Sequence, residues 1–386
     1  MASAETSWTP SSWRNRPALQ QPDYADLAQA EAILSQIRAK GPLVSPLKCA
    51  GLRRECAAAA SGEAFIVQAG DCAESLDADA VASAQAMSAM IADLARKVDG
   101  KAVTIARIAG QFAKPRSQPY ETRDGVTLSA YRGDSINGLD FDAETRAHDP
   151  ARLPAAYRHS ALTLNHLRGL GRRPFVSHEA LILPYEEALC TRDEAGHWWA
   201  GSGHMLWVGE RTRQVDGAHV AFASGIENVI GVKCGPSLGA DELLRLADTL
   251  DPERKPGKLL LIGRFGADRI ESCLPPLLRA ARSNGLAAGW MIDPMHGNTR
   301  YEGGRKQRRI ADMIEELRAF FEICRSERIE PAGIHLEVTT GVSAECIGID
   351  GLDPNADFPC DPRLNKEQAL LVVKLAESYR HEMAPT

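Results

Sequence analysis

Beyond its first sixty residues the chain is punctuated by short apolar runs of four to seven residues. They begin at Phe65, Val103, Pro174, Met205, Val229, Leu259, Ala288 and Ile334. Each ends in glycine, proline or a charged cluster. Amphipathic periodicity predicts helices over 78–97, 240–250, 268–284, 306–327 and 366–383, after the first, fifth, sixth, seventh and eighth runs. A shorter helix, 216–226, is expected after the fourth run. Near-continuous apolar strands alternating with helices predict a parallel sheet covered on both faces, and eight of them predict a (β/α)8 TIM barrel. The connection 111–173 is too long for one crossover, so a short insertion, a hairpin or helices, is expected after the second strand. Upstream, helices are predicted over 24–40 and 47–61, broken at Gly41-Pro42. Residues 1–20 carry Trp8, Pro10, Trp13 and Pro17 and read as an arm that packs on something. The expected organisation is an N-terminal arm with helices over 1–60 and a catalytic barrel over 61–386.

Composition narrows the classes. The 386 residues are 44% hydrophobic and 25% charged, ample for a large core. A net charge of -6 and a pI of about 6.0 argue against a nucleic-acid or acidic-membrane partner. Met1 to Gln21 has no apolar signal core, and no run approaches the ~18 apolar residues of a membrane span. The nine cysteines form no CxxC pair, which points to a reduced, cytoplasmic protein.

The ends of the predicted strands carry the chemistry, as they do in a barrel of this type. Reading them gives Cys72, Arg107, Glu179, Glu210 with Arg211, Lys233, Arg264, His296 and Glu337. His296 sits in Asp293-Pro294-Met295-His296-Gly297-Asn298-Thr299, where proline and glycine force a tight turn after an apolar strand. Two subsets separate. Cys72, His296, Glu337 and the downstream Asp361 offer a thiolate, an imidazole and two carboxylates, a mix suited to a borderline divalent metal such as Mn, Co, Fe or Zn. Arg107, Lys114, Arg116, Arg211, Lys233 and Arg264 suit a phosphorylated small acid, arginine forks gripping phosphate and carboxylate while lysine adds a point charge. Lys114-Pro115-Arg116-Ser117 reads as a compact anion clasp.

At this point the chain resembles the type II (plant-like, short form) 3-deoxy-D-arabino-heptulosonate 7-phosphate (DAHP) synthases. The matching stretches are QAGDCAE (68–74), RIAGQFAKPRS (107–117), YRGDSING (131–138), SHEA (177–180), GERTRQVDGAHV (209–220), DPMHGNT (293–299) and CDPRLN (360–365). They span roughly 60–370 in the family's order. The resemblance implies condensation of phosphoenolpyruvate (PEP) with D-erythrose 4-phosphate on a (β/α)8 barrel. It implies that Cys72, His296, Glu337 and Asp361 hold the divalent metal, Mn or Co foremost. Arg107, Glu210, Arg211, Lys233 and Arg264 would line the PEP site. Lys114, Arg116 and Ser117 would hold the aldose phosphate, with Lys114, Glu210, Lys233 and His296 as the catalytic set. Lys114, Glu210 or a metal-bound water would move the proton of the water-addition step. A homo-oligomer is expected; a chorismate mutase partner is compatible with the resemblance, but no residue points to one.

Departures lie near the substrate rim: a shortened segment after Glu337, a shortened 300–308, and Gly263-Arg264-Phe265-Gly266 in place of Arg-Met-Gly. They leave open an imino-sugar phosphate acceptor. Two other readings stand beside these: a Schiff-base aldolase using Lys233, and a non-catalytic sensor of a phosphorylated metabolite. Only Gly138 to Arg173 separates YRGDSING from the next strand, room for about two short helices at ~1.5 Å per residue, and no feedback site for aromatic amino acids is expected.

Overall fold

The computed structural model describes residues 8–171, 173–303, 305–349, 358 and 360–382. Its centre is a closed parallel barrel of eight strands: β1 (Phe65–Gly70), β2 (Ala102–Arg107), β3 (Phe175–Glu179), β4 (Met205–Val208), β5 (Val229–Cys234), β6 (Leu259–Gly263), β7 (Ala288–Ile292) and β8 (Pro331–Glu337). Each strand pairs with its sequence neighbours and β8 returns to β1, where Gly70 stands opposite Glu337 on one side and Arg107 on the other. All eight predicted strands are present. Their side chains are largely buried on both faces, which explains the continuous apolar runs.

Two helices precede the barrel, α1 (Leu27–Lys40), N-capped by Asp26, and α2 (Pro46–Ala60). Helix α2 packs on β1, β2, β5, β7 and β8. Its Leu52, Cys56 and Ala59 join Ile66, Val103, Val229 and Leu260 from the strands in one apolar cluster. The outer helices are α3 (Ala80–Ala95), α4 (Leu153–Gly169), α5 (Leu183–Ala188), α6 (Ala218–Ala223), α7 (Ala240–Leu250), α8 (Ile270–Ser283), α9 (Ile310–Glu327) and α10 (Lys366–His381). A capping box starts α10, with Asn365 accepting from the Gln368 amide and Gln368 answering to the Asn365 amide.

The insertion after β2, expected to be a hairpin or helices, combines the two. It holds an antiparallel hairpin, Tyr120–Arg123 with Val126–Ser129, and then the single 17-residue helix α4, which packs along α3. Hairpins Cys190–Arg192/Trp198–Ala200 and Arg300–Glu302/Arg305–Gln307 were not foreseen. In the described part of the N-terminal segment, the Trp8 indole donates to the Ala221 carbonyl (2.8 Å) and that of Trp13 to Glu187 (2.9 Å). Residues 1–7 of that arm lie outside the described residues. No helix of the described residues is long and apolar enough to cross a membrane.

Candidate active site

The C-terminal ends of the strands open into one pocket of about 340 Å³. Every site residue singled out in the sequence lines it: Cys72, Arg107, Lys114, Arg116, Ser117, Glu210, Arg211, Lys233, Arg264, His296, Glu337 and Asp361.

Arg107 is positioned by the barrel interior. Gln68 donates to the Ser177 hydroxyl (2.9 Å) and accepts from His335 Nδ1 (2.8 Å). His335 Nε2 then faces Arg107 Nη1 at 2.9 Å, and the guanidinium lies 5.2 Å from the Trp207 ring. Burial, then Lys233 and Arg107, hold the His335 pKa well below the ordinary value, so the neutral ring accepts from Arg107. The other Arg107 nitrogen donates to Glu337 (3.0 Å).

Three prospective metal donors converge. Single ligand atoms of His296, Glu337 and Asp361 all lie within 4.8 Å of one another. Cys72 stands outside that triplet, fully buried and packed with Tyr131 and Cys360. A hydrogen bond to Cys360 and burial raise its thiol pKa. His296 is oriented for coordination: its Nδ1 meets the buried Asp293 carboxylate at 2.6 Å, which leaves Nε2 free of the backbone and 3.1 Å from Glu337. Cations neutralise the carboxylates here. Glu337 takes Arg308 at 2.6 Å and Lys114 at 3.8 Å; Asp361 takes Lys306 at 2.7 Å and a close contact from Lys114. Burial works against the Glu337 charge, but His296, Lys114, Arg308 and Arg107 hold its pKa well below the usual range. The donor chemistry and the Asp293-held imidazole fit a divalent ion.

The clasp expected of Lys114-Pro115-Arg116-Ser117 is divided. Lys114 turns inward to Asp361 and Glu337, whereas Arg116 pairs with Glu121 at 3.1 Å on the pocket wall. Gln20 of the arm fixes the loop by bonding both the amide and the carbonyl of Arg116 (3.0 and 3.1 Å).

Two carboxylates near the cations differ in state. Glu210 accepts from Ser237 (2.8 Å) and Arg213 (3.1 Å), and although burial opposes its charge, Arg213 and Arg264 keep its pKa below the usual value. Glu179, at the end of β3, has a solvent-sealed Oε1 without a hydrogen-bond partner. Burial pushes its pKa up to about 7 against the pull of Arg211, Lys233 and Arg107. A Cβ on Gly209 would lie 2.1 Å from that Oε1, so glycine is what admits the carboxylate. Lys233 touches Asp293, and burial brings its pKa down to about 8. The sequence reading named Glu179 as a strand end without a role, and gave none to Arg308, Lys306, His335 or Asp293.

The fold and pocket define a (β/α)8 barrel whose mouth gathers a cluster of cationic side chains and a triplet of groups able to hold a metal ion. The Class-II DAHP synthetase family profile matches residues 8–173 and 172–376. A Streptomyces coelicolor protein named phospho-2-dehydro-3-deoxyheptonate aldolase is 41% identical over 437 aligned positions, covering 96% of this chain and 97% of that protein. A Neurospora crassa protein of the same name is 36% identical, covering 97% and 95%. The Francisella tularensis phospho-2-dehydro-3-deoxyheptonate aldolase structure superposes with a TM-score of 0.56 at 18% identity, over 91% of this chain and 97% of that one, a likeness of fold. The chain belongs to the class-II DAHP synthetase family. It is a metal-dependent enzyme that condenses PEP with D-erythrose 4-phosphate to DAHP and phosphate.

Proposed function

We propose the following division of labour for that reaction. Arg107, Arg211, Lys233 and Arg264 bind PEP; Arg116 and Ser117 take the aldose phosphate. Lys114 stands between the two, toward the aldehyde end. Cys72, His296, Glu337 and Asp361 hold the divalent ion, Mn or Co by the donor mix. Bound there, the ion supplies Lewis-acid polarisation of the aldehyde carbonyl. The cations offset repulsion between the two phosphorylated substrates. The methylene carbon of PEP bonds to the aldehyde carbon, and the former carbonyl oxygen, left as an alkoxide, takes up a proton from solvent to end as a hydroxyl. Water then bonds to the neighbouring PEP carbon and gives a proton to the Glu179 carboxylate. The hydroxyl so formed passes its proton to the departing phosphate as the carbon–oxygen bond breaks, which leaves the ketone and inorganic phosphate, and Glu179 returns its proton to solvent. Glu210, held ionised by Arg213, orients Arg264 (3.8 Å) instead of moving that proton.

The observation that supports this reading is the meeting in a single pocket of the donor triplet, the cations and the Glu179 carboxylate, whose sealed Oε1 has no hydrogen-bond partner and whose pKa burial raises. Metal-stripped enzyme mixed with both substrates should make no DAHP by mass spectrometry, and Mn or Co should restore it. Undiminished turnover after stripping would sink the assignment. Residues 1–60 serve as an arm and cap on the barrel of 61–386, in a cytoplasmic homo-oligomer; light scattering on the purified enzyme tests the assembly.

A further inference from the structure

A second cavity, about 700 Å³, opens at the opposite end of the barrel. It is built by α2, the last turn of α4, the start of β3 and the residue before β4. Phe175 on its wall begins the strand that Glu179 ends, so ~13 Å of strand separates the two pockets along the chain at ~3.3 Å per residue. Val44, Leu164, Leu167 and Pro174 are buried in its wall and Phe175 is half-buried. The His204 ring stands edge-on to Phe175 at 5.3 Å and accepts the Val176 amide on Nδ1 (3.0 Å).

The rest of the wall is cationic. Lys48, Arg54, Arg168 and Arg173 line it, and none of the four is in an ion pair among the described residues. The acid in the wall, Glu55, is bound by Lys101 at 2.5 Å. Arg168 is braced by the Leu43 carbonyl (2.6 Å) and Asn165 (2.7 Å), and its own carbonyl accepts from Arg173 (3.4 Å). The field acts on His204, whose pKa is brought down to about 3 by burial and then by Arg173, Arg168 and Lys48. Four like charges gathered around an apolar cavity repel one another, and a bound counter-charge would relieve that repulsion. The volume lies within the usual range for small-molecule sites.

We propose that this cavity binds a small organic polyanion, with two or more phosphate or carboxylate groups on the Lys48, Arg54, Arg168 and Arg173 cations and an apolar ring against Phe175, Leu164 and Leu167. Amino acids are a poorer match, because the wall offers four cations against one carboxylate, Glu55, and that one is paired with Lys101.

The test is calorimetric titration of Mn-loaded enzyme saturated with PEP, so that the PEP cations are occupied; heat that survives in the cavity variants below is assigned to the open aldose-phosphate site and not to the cavity. The probes are adenosine 3′,5′-bisphosphate, benzene-1,3,5-tricarboxylate and inorganic phosphate. At least one ring-bearing probe should bind ten-fold or more tighter than phosphate. Preference for the bisphosphate marks a phosphorylated ligand, and preference for the tricarboxylate a polycarboxylic one. The surface double variant Lys48→Ala/Arg54→Ala should lose ten-fold or more of that affinity with kcat and Tm unchanged. Arg173→Ala, on a separate segment, should reproduce the loss. Absence of binding by both ring-bearing probes, equal affinity in the variants, or phosphate binding as tightly as the ring compounds would each overturn the proposal.

Discussion

Replacing Glu179 by glutamine keeps the side chain's volume against Gly209 and removes its ability to accept a proton. The carboxylate stands among Arg107, Arg211 and Lys233, yet burial leaves it with a pKa of about 7, and Oε1 has no partner. That is the state expected of a base poised near the working pH. General base catalysis typically contributes on the order of 100- to 10,000-fold. Glu179→Gln should therefore lower kcat by roughly 100- to 1,000-fold, about 3–4 kcal/mol at 1.36 kcal/mol per decade. Binding should respond in the other direction. Removing a negative charge beside the PEP cations leaves KM for PEP unchanged or lower, which separates a lost base from a damaged binding site. In the parent enzyme, kcat/KM should rise with pH through an inflection near 7, as Glu179 loses its proton. The glutamine variant should lack that limb, and Glu179→Asp should recover part of the rate. Steady-state kinetics from pH 5.5 to 9 decide it. A variant within three-fold of the parent in kcat, or one that keeps the acid limb, would refute the assignment.

Cys72→Ser should weaken metal affinity by ten-fold or more, since a hydroxyl stays protonated where a metal-bound thiol does not; competition with a chromogenic chelator measures it, and unchanged affinity counts against a thiolate ligand. Arg116→Ala should raise KM for erythrose 4-phosphate by ten-fold or more and that for PEP by less than three-fold; the reverse pattern would exchange the two anion sites. Phenylalanine, tyrosine and tryptophan, singly or mixed at millimolar concentration, should leave the rate at subsaturating substrates unchanged. Strong inhibition by any of them would reveal an amino-acid site.

The barrel was legible because its signal is local. Eight buried strands need eight apolar runs, and all eight runs became strands. The insertion after β2 was legible only in outline, as a hairpin or helices, since a polar hairpin such as Tyr120–Arg123/Val126–Ser129 leaves weak periodicity. The pocket was legible residue by residue because strand ends converge in a barrel whatever their order. Which way each side chain leans was not. Lys114 and Arg116 are two residues apart and look like one clasp, but Asp361 and Glu337, brought in from the far end of the chain, draw Lys114 inward and leave Arg116 to Glu121. The cavity beneath the barrel has no local signature either, because its four cations come from two stretches separated by more than a hundred residues.

Glu179 and Glu210 show where sequence reading stops. Both are glutamates beside a strand end, both line the pocket, and both lie near arginine. Their protonation is decided by partners that no spacing rule supplies. Arg213 and Ser237 bond Glu210 and hold it ionised, so it acts as a fixed charge. Glu210 Oε2 is as sealed and unpartnered as Glu179 Oε1, so the bonds at Glu210 Oε1 are what differ; Glu179 has cations near enough to lower its pKa, but desolvation wins. Two carboxylates whose environments push their pKa values apart mark a division between orientation and proton transfer. The division depends on Gly209, since any larger residue there would collide with the Glu179 carboxylate and force it from its sealed position. A glycine inside the GERTRQVDGAHV stretch thus helps set the proton affinity of a residue thirty positions upstream, a dependence that only the folded barrel makes visible.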